Sequence, residues 1–331
     1  MKKNHHFKKI MSHLVITLSL TAAASYAAIY NPTNSNLSVT YGPCHSGNEK
    51  ELKKLHQYFN VFRLYKFDQT SLDFAKKHSM QVLLGTTNSL AKSFATSNQN
   101  HATNISDYLQ KISNYLSSAT VKVIILGNEP LNQPLFANPT GGPDMQSAIN
   151  NLYSALKKQG YTLPVTINVA DDTYWGGAFD PRLNNNILPA INQQTHPIFY
   201  VDLYPLFANN NTDAYRLDAN KLLNDMYMGG TSNTGWIPAM QKKFPNISVL
   251  IAETGWASAG GNPPSGAVAS QANESTYINS VATWAKNNHY PTTLFMMYDR
   301  PSCKGTNWEG HFGLMKDAST SKQHVTIPSG K

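Results

Sequence analysis

The chain has 331 residues, 41% of them hydrophobic and 14% charged, with 27 basic and 19 acidic side chains. That length and apolar content support one sizeable core, and α/β barrels routinely occupy such a length as a single domain. Lys2, Lys3, Lys8 and Lys9 stand at the extreme N-terminus; without them 23 basic side chains face 19 acidic ones, spread without runs, which excludes a nucleic-acid footprint.

The first element is an address. Those four lysines precede the short apolar stretch IMSHLVITLSL, and Ser25 and Ala27 occupy places suited to signal peptidase. Residues 1–27 are expected to be a signal peptide and 28–331 one exported domain, secreted to the extracellular space or periplasm and free of the membrane after cleavage. A spanning helix fits less well, because His13 interrupts a run already shorter than the ~20 residues a span requires.

Eight apolar or β-branched runs follow in chain order: 36–41 (NLSVTY), 61–65 (VFRLY), 81–86 (QVLLGT), 121–129 (VKVIILGNE), 164–170 (PVTINVA), 197–204 (PIFYVDLY), 247–253 (ISVLIAE) and 293–299 (TLFMMYD). Segments with helical spacing lie between them, among them 49–59, 70–78, 105–118, 145–160 and 272–288. Strand and helix in alternation imply parallel strands with right-handed crossovers, and eight such units predict an α/β chain folded as a single (β/α)8 TIM barrel. An open doubly wound sheet is the alternative for the same pattern. Residues 205–245 read as an enlarged loop with one helix, and the tail after Asp317 is polar.

Two carboxylates stand out. The fourth predicted strand runs out at Glu129 and the seventh at Glu253, so both acids belong at the C-terminal rim, where barrels of this kind carry their active sites. A carboxylate beside a buried core is costly without partners. Each acid alone also fits a structural role, held by backbone amides or an arginine. Together they match the paired carboxylates of glycoside hydrolysis, where about 5 Å of separation gives a retaining reaction and about 6.5–9.5 Å an inverting one. Low charge and abundant Asn, Ser, Thr and Tyr suit neutral polar ligands such as sugars.

The motifs GNEPL and IAETGWAS resemble the acid/base and nucleophile motifs of glycoside hydrolase family 17, the β-1,3-glucanase family. The segments YGPCHSG, RLYKFD, VDLYPLFA and MMYDRPSCKGTNWEGHFGL agree with it in order, across nearly all of 28–331. The resemblance implies that Glu129 is the general acid/base, with its pKa raised by its surroundings, and Glu253 the nucleophile of a retaining β-1,3-glucan hydrolase.

Around these acids, Tyr204 is expected to hydrogen-bond Glu253, Arg63 to supply positive charge, and Asn128 to hold the sugar 2-hydroxyl. Tyr41, Tyr65 and Trp256 are candidate sugar platforms, with Trp175 and Trp308 as weaker ones. Asp171 and Asp172 are candidates for sugar hydroxyls or for capping, and Asp299 and Lys304, after the last strand, are further candidates for substrate binding. His311 matches the family as a loop brace. After the last strand the chain departs from the family pattern: Arg300 stands where an auxiliary glutamate is usual.

Cys44 and Cys303 are the two cysteines of the sequence. In an exported chain they are expected to form one disulfide between the loops after the first and eighth strands, neighbours in a closed barrel. A catalytic thiol is the rival reading, without a His–Asp constellation to serve it. No metal and no organic cofactor is expected, and the predicted partner is a β-glucan bound by a monomer. Three rivals remain open: a β-1,3-glucan transglycosylase using the same glutamates, a hydrolase of β-1,4 or mixed linkages, and a non-catalytic glucan-binding protein.

Overall fold

The computed structural model describes residues 30–331 except 43, 46, 139, 171–173, 176, 177, 208–211, 224–235, 301–306 and 323. The leader predicted for 1–27 lies outside the described residues.

Eleven strands are described: β1 (Leu37–Tyr41), β2 (Val61–Leu64), β3 (Gln81–Gly85), β4 (Val121–Ile125), β5 (Val165–Thr166), β6 (Asn168–Ala170), β7 (Tyr174–Trp175), β8 (Ala178–Phe179), β9 (Ile198–Asp202), β10 (Ser248–Thr254) and β11 (Thr292–Leu294). Ten α-helices accompany them: α1 (Glu49–His56), α2 (Gln69–Lys77), α3 (Asn88–Ser93), α4 (His101–Ser117), α5 (Gly141–Lys158), α6 (Leu188–Asn192), α7 (Asp213–Arg216), α8 (Ala219–Leu222), α9 (Trp236–Lys243) and α10 (Gln271–Asn287).

The main sheet is parallel, in the order β5-β4-β3-β2-β1-β11-β10-β9-β6. Its two ends, β5 and β6, are halves of one segment separated by Ile167, so the sheet closes on itself. This is a (β/α)8 barrel and not an open sheet, with the fifth predicted strand split in two. The pair β7–β8 forms a small antiparallel hairpin outside it.

Strands buried on both faces explain the continuous apolar runs. Val61, Leu83, Val123, Ile125, Ile198, Tyr200, Leu250 and Ala252 fill the barrel interior, while Val39, Phe62, Leu84, Val249 and Ile251 join the larger layer under the helices. The helices form for local reasons as well. Ile105, Tyr108, Leu109, Ile112, Tyr115 and Leu116 put one buried stripe on α4. Side chains cap α1, α2 and α10: Asn48, Asp68 and Ser270 accept from backbone N–H groups of the first turn.

Two predicted strands are shorter than their apolar runs. β4 ends at Ile125, not at Glu129, because Gly127 (φ 76°) and Glu129 (φ 42°) turn the chain out of the ladder. β11 ends at Leu294, followed by a cis peptide bond between Phe295 and Met296. Among the described residues the enlarged loop carries three short helices, α7, α8 and α9, where one is predicted, and α3 and α6 have no counterpart in the pattern.

Candidate active site

Strand alternation alone would not deliver Glu253 to the barrel mouth. Leu250 and Ala252 face inward, so the next residue belongs on the outer face by a period of two. The register of β10 shifts between Ile251 and Glu253 against β9, and between Ile251 and Thr254 against β11. This irregularity re-aims the carboxylate inward, a use typical of bulges beside active sites.

Three donors converge on Glu253, which is 5% exposed. Arg63 Nη1 and Tyr65 Oη donate to Oε1 at 2.8 and 2.7 Å, and Tyr204 Oη donates to Oε2 at 2.6 Å. Arg63 and Tyr65 come from the end of β2, where a period of two puts both on the face of Val61. Arg63 is fully buried and also reaches Ala252 O at 3.2 Å and Asn128 Oδ1 at 3.0 Å. Burial alone would lower its pKa, but the charge of Glu253 raises it, and the guanidinium keeps its charge. Burial, then the charge of Glu253, hold Tyr65 and Tyr204 well above the ordinary phenol range, so both remain donors.

Asn128 and Glu129 sit on the turn after β4. Asn88, which opens α3, grips that turn from both sides: its Nδ2 donates to Asn128 O at 3.1 Å and its Oδ1 accepts from Asn128 N at 3.0 Å. Gly127 N donates to Thr86 Oγ1 at 3.0 Å. A Cβ at Gly127 would lie 2.2 Å from Asn88 Oδ1, so this left-handed position admits only glycine. The Asn128 amide oxygen accepts from Arg63 Nη2 and from Asn168 Nδ2 at 3.2 Å, which fixes the amide with its NH2 on the side away from those donors.

Beneath the glutamates lies Asp202, at the inward end of β9 and 1% exposed. Asn168 donates to it, and Arg63 Nη1 stands 3.7 Å from its Oδ1. Burial, then the charge of Glu253, push its carboxyl well above the usual range, with Glu129 adding to the shift. Asp202 thus lies in the floor of the site with its neutral form favoured by burial, and Glu129 is within electrostatic reach of it. Sequence reasoning missed Asp202, Asn168 and Asn88. The signal for Asp202 was a polar residue on the inward face of an otherwise apolar strand.

The remaining candidates separate. Tyr41 is 1% exposed and Trp256 0%, so neither offers a face to a sugar. Tyr41 donates to Glu51 at 2.6 Å, and Trp256 Nε1 donates to Val268 O at 3.0 Å. Tyr65 serves through its hydroxyl. Asp299 is also corrected: its Oδ1 is bound by Lys322 Nζ at 3.0 Å and accepts from Gly313 N at 2.8 Å, which occupies it within the protein.

Lys322 belongs to the tail that reads as featureless, yet it is buried, and it also pairs with Glu274 at 3.0 Å and donates to Ser258 Oγ at 2.7 Å and to His311 O at 3.3 Å. His311 braces the loop through that carbonyl. Trp308, by contrast, stands on the rim with Phe207, ring centroids 5.1 Å apart, and Phe207 is 40% exposed. Cys44 is disulfide-bonded. Asp171, Asp172, Cys303 and Lys304 lie outside the described residues, as does the side chain of Trp175.

Residues 27–313 match the BtgE/BtgC glycoside hydrolase domain. The chain is 22% identical to the basic isoform of glucan endo-1,3-beta-glucosidase of Phaseolus vulgaris, over 85% of this chain and 88% of that protein. Among solved structures it is similar to a β-1,3-glucanase and allergen of Cryptomeria japonica pollen, with TM-score 0.69, 20% identity, and 88% and 98% of the two chains covered. It also resembles an active-site mutant of Rhizomucor miehei β-1,3-glucanosyltransferase in complex with laminaritriose, with TM-score 0.62, 19% identity, and 89% and 98% covered. An inward carboxylate held by an arginine and two phenols at the rim of a closed barrel is the setting in which these similarities meet. The chain belongs to the BtgE/BtgC glycoside hydrolase domain family and, with it, to glycoside hydrolase family 17.

Proposed function

We propose that this glycosidase cleaves β-1,3-glucan with retention of configuration, with Glu253 as nucleophile and Glu129 as general acid/base. The observation that carries the reading is the convergence of Arg63, Tyr65 and Tyr204 on both oxygens of Glu253. Donors of this kind fix a carboxylate for attack and stabilise its charge again when the glycosyl–enzyme bond breaks.

In the first step the Glu253 carboxylate bonds to the anomeric carbon while Glu129 gives its proton to the departing glycosidic oxygen. In the second, Glu129 takes a proton from water, which attacks the same carbon and frees Glu253. The Asn128 NH2 donates to the hydroxyl beside the reacting carbon, and the neutral Asp202 keeps a third negative charge out of the site. Phe207 and Trp308 supply apolar faces for glucose rings.

Export is part of the proposal: residues 1–27 act as the leader, and a bonded Cys44 fits an oxidising compartment, with Cys303 as its partner. The glucanase names of the relatives support the β-1,3 linkage.

The test is product analysis of the purified protein on laminarin beside β-1,4 and mixed-linkage glucans, with the anomer released followed by NMR. Short β-anomeric products from laminarin alone, abolished in Glu253→Gln, are expected. An α-anomeric product would overturn retention, and products longer than the substrate would reassign the protein as a transglycosylase. Glucan binding without turnover would leave it a binding protein.

A further inference from the structure

Arg300 follows Asp299 on the rim segment beyond β11, its main chain fixed by a hydrogen bond from its N–H to Gly310 O at 2.9 Å. The guanidinium carbon lies 4.7 Å above the ring of Phe295. Phe295 meets Tyr204 edge to face, centroids 5.8 Å apart, and Tyr204 holds Glu253. Arg300 therefore stands two rings away from the nucleophile.

Four cations are buried among the described residues: Arg63, Arg216, Lys322 and Arg300. Arg63 is paired with Glu253, Arg216 with Asp213 at 3.0 Å, and Lys322 with Glu274 and Asp299. Arg300 has no carboxylate partner among the described residues. Its neighbour Asp299 is taken by Lys322, and Glu309 offers only its carbonyl oxygen, 3.4 Å from Nε. The two terminal nitrogens of Arg300 find no acceptor among the described residues, and neither belongs to the polar atoms sealed from solvent without a partner. Its 9% exposure thus includes the tip of the fork.

A cation walled into low dielectric without a counter-ion is unfavourable, and the cation–π contact with Phe295 offsets only part of that cost. A planar guanidinium presents paired N–H groups matched to a carboxylate or a phosphate. This fork also continues an aromatic strip: Phe207 touches Trp308, Trp308 meets Phe312 at 6.3 Å, and Phe312 meets Phe295 at 5.6 Å. Phe295 and Phe312 are 5% and 3% exposed, so a sugar ring would stack on Phe207 and Trp308, the open end of the strip, with its substituents directed along it toward the fork. We infer that Arg300 is the anion-recognising element of a sugar subsite, taking an oxyanion substituent, carboxylate or phosphate, on the glucan chain. The inference rests on the glucan-cleaving reading above.

The experiment compares kcat/KM on neutral laminarin, on laminarin oxidised at C6 to the carboxylate, and on phosphorylated laminarin. It uses the wild type, Arg300→Met and Arg300→Lys, with thermal midpoints checking the fold. The wild type is expected to favour a charged substrate over the neutral one, and added salt to erode that preference. The charged-to-neutral ratio is expected to fall at least tenfold in Arg300→Met and to lie between in Arg300→Lys. The carboxylated and phosphorylated arms identify which oxyanion is taken. Turnover of neutral laminarin with a ratio indifferent to Arg300, or no wild-type preference for either charged form, overturns the inference alone. Absence of turnover on neutral laminarin sinks the glucan-cleaving reading and this inference with it.

Discussion

Arg63 and Glu253 meet at 2.8 Å inside the barrel mouth, from strands β2 and β10 that have β1 and β11 between them. The same guanidinium reaches Asn128, beside Glu129, at 3.0 Å. One buried side chain thereby ties the segments that carry Glu253 and Glu129 to a common frame.

Replacing Arg63 tests that frame. In Arg63→Met, kcat/KM on laminarin is expected to fall about 10²- to 10³-fold, the range for loss of one preorganised donor. The fold is expected to lose about 3–5 kcal/mol, because Glu253 is left buried without its counter-charge. Steady-state kinetics and chemical denaturation read the two effects, and a loss below threefold in rate would contradict the assignment.

Tyr65→Phe and Tyr204→Phe each remove one donor to a charged acceptor, about 1.5–3 kcal/mol in this kind of bond. Both are expected to lower kcat with little change in KM, since the donors act on the nucleophile. A rise in KM at unchanged kcat would instead make them sugar contacts.

Burial favours the neutral form of Asp202, and Asp202→Asn mimics that form in size and charge. Activity is expected to stay within about tenfold of wild type, against a loss of at least about 10³-fold for Glu253→Gln. Comparable losses in the two variants would show that an ionised Asp202 is required.

Stability is expected to depend on pH through Glu274. Burial, opposed by Lys322, lifts its pKa from 4.5 to about 8. The folded state thus binds this proton more tightly than the unfolded one. The stability from this source is fully present below pH 4.5 and is lost as pH rises through about 8, with a slope of up to about 1.4 kcal/mol per pH unit. Thermal midpoints of the wild type from pH 5 to 8 are expected to decline, and those of Glu274→Gln to stay flat over that window. Parallel curves would remove Glu274 as the cause.

Much of this was written in local pattern. Apolar runs at strand length alternating with helical spacing predicted the barrel, and the strand-end positions of Glu129 and Glu253 predicted the rim. Arg63 and Tyr65 share the inward face of β2 because side chains alternate with a period of two. The same rule fails at Glu253, where a register shift in β10 that no residue type announces turns the carboxylate inward. Tyr41 and Trp256 were misread as platforms because an aromatic at a strand end looks alike in sequence whether it faces the cleft or the layer beneath the helices.

Other features had no local signature at all. Lys322 is one lysine in a polar tail until the fold brings Glu274, Asp299 and Ser258 around it from positions 23 to 64 residues away. Asp202 is one polar residue in a strand until Glu253 and Glu129 share its low-dielectric floor. The sequence by itself determined the alternation of eight apolar strand segments with helices and marked the two glutamates as candidates, because these follow from periodicity and residue chemistry along the chain. Only the tertiary structure decided that the barrel closes, which of the described side chains pair and which buried carboxyl is pushed up in pKa, because burial and charge–charge energies depend on distances across the chain.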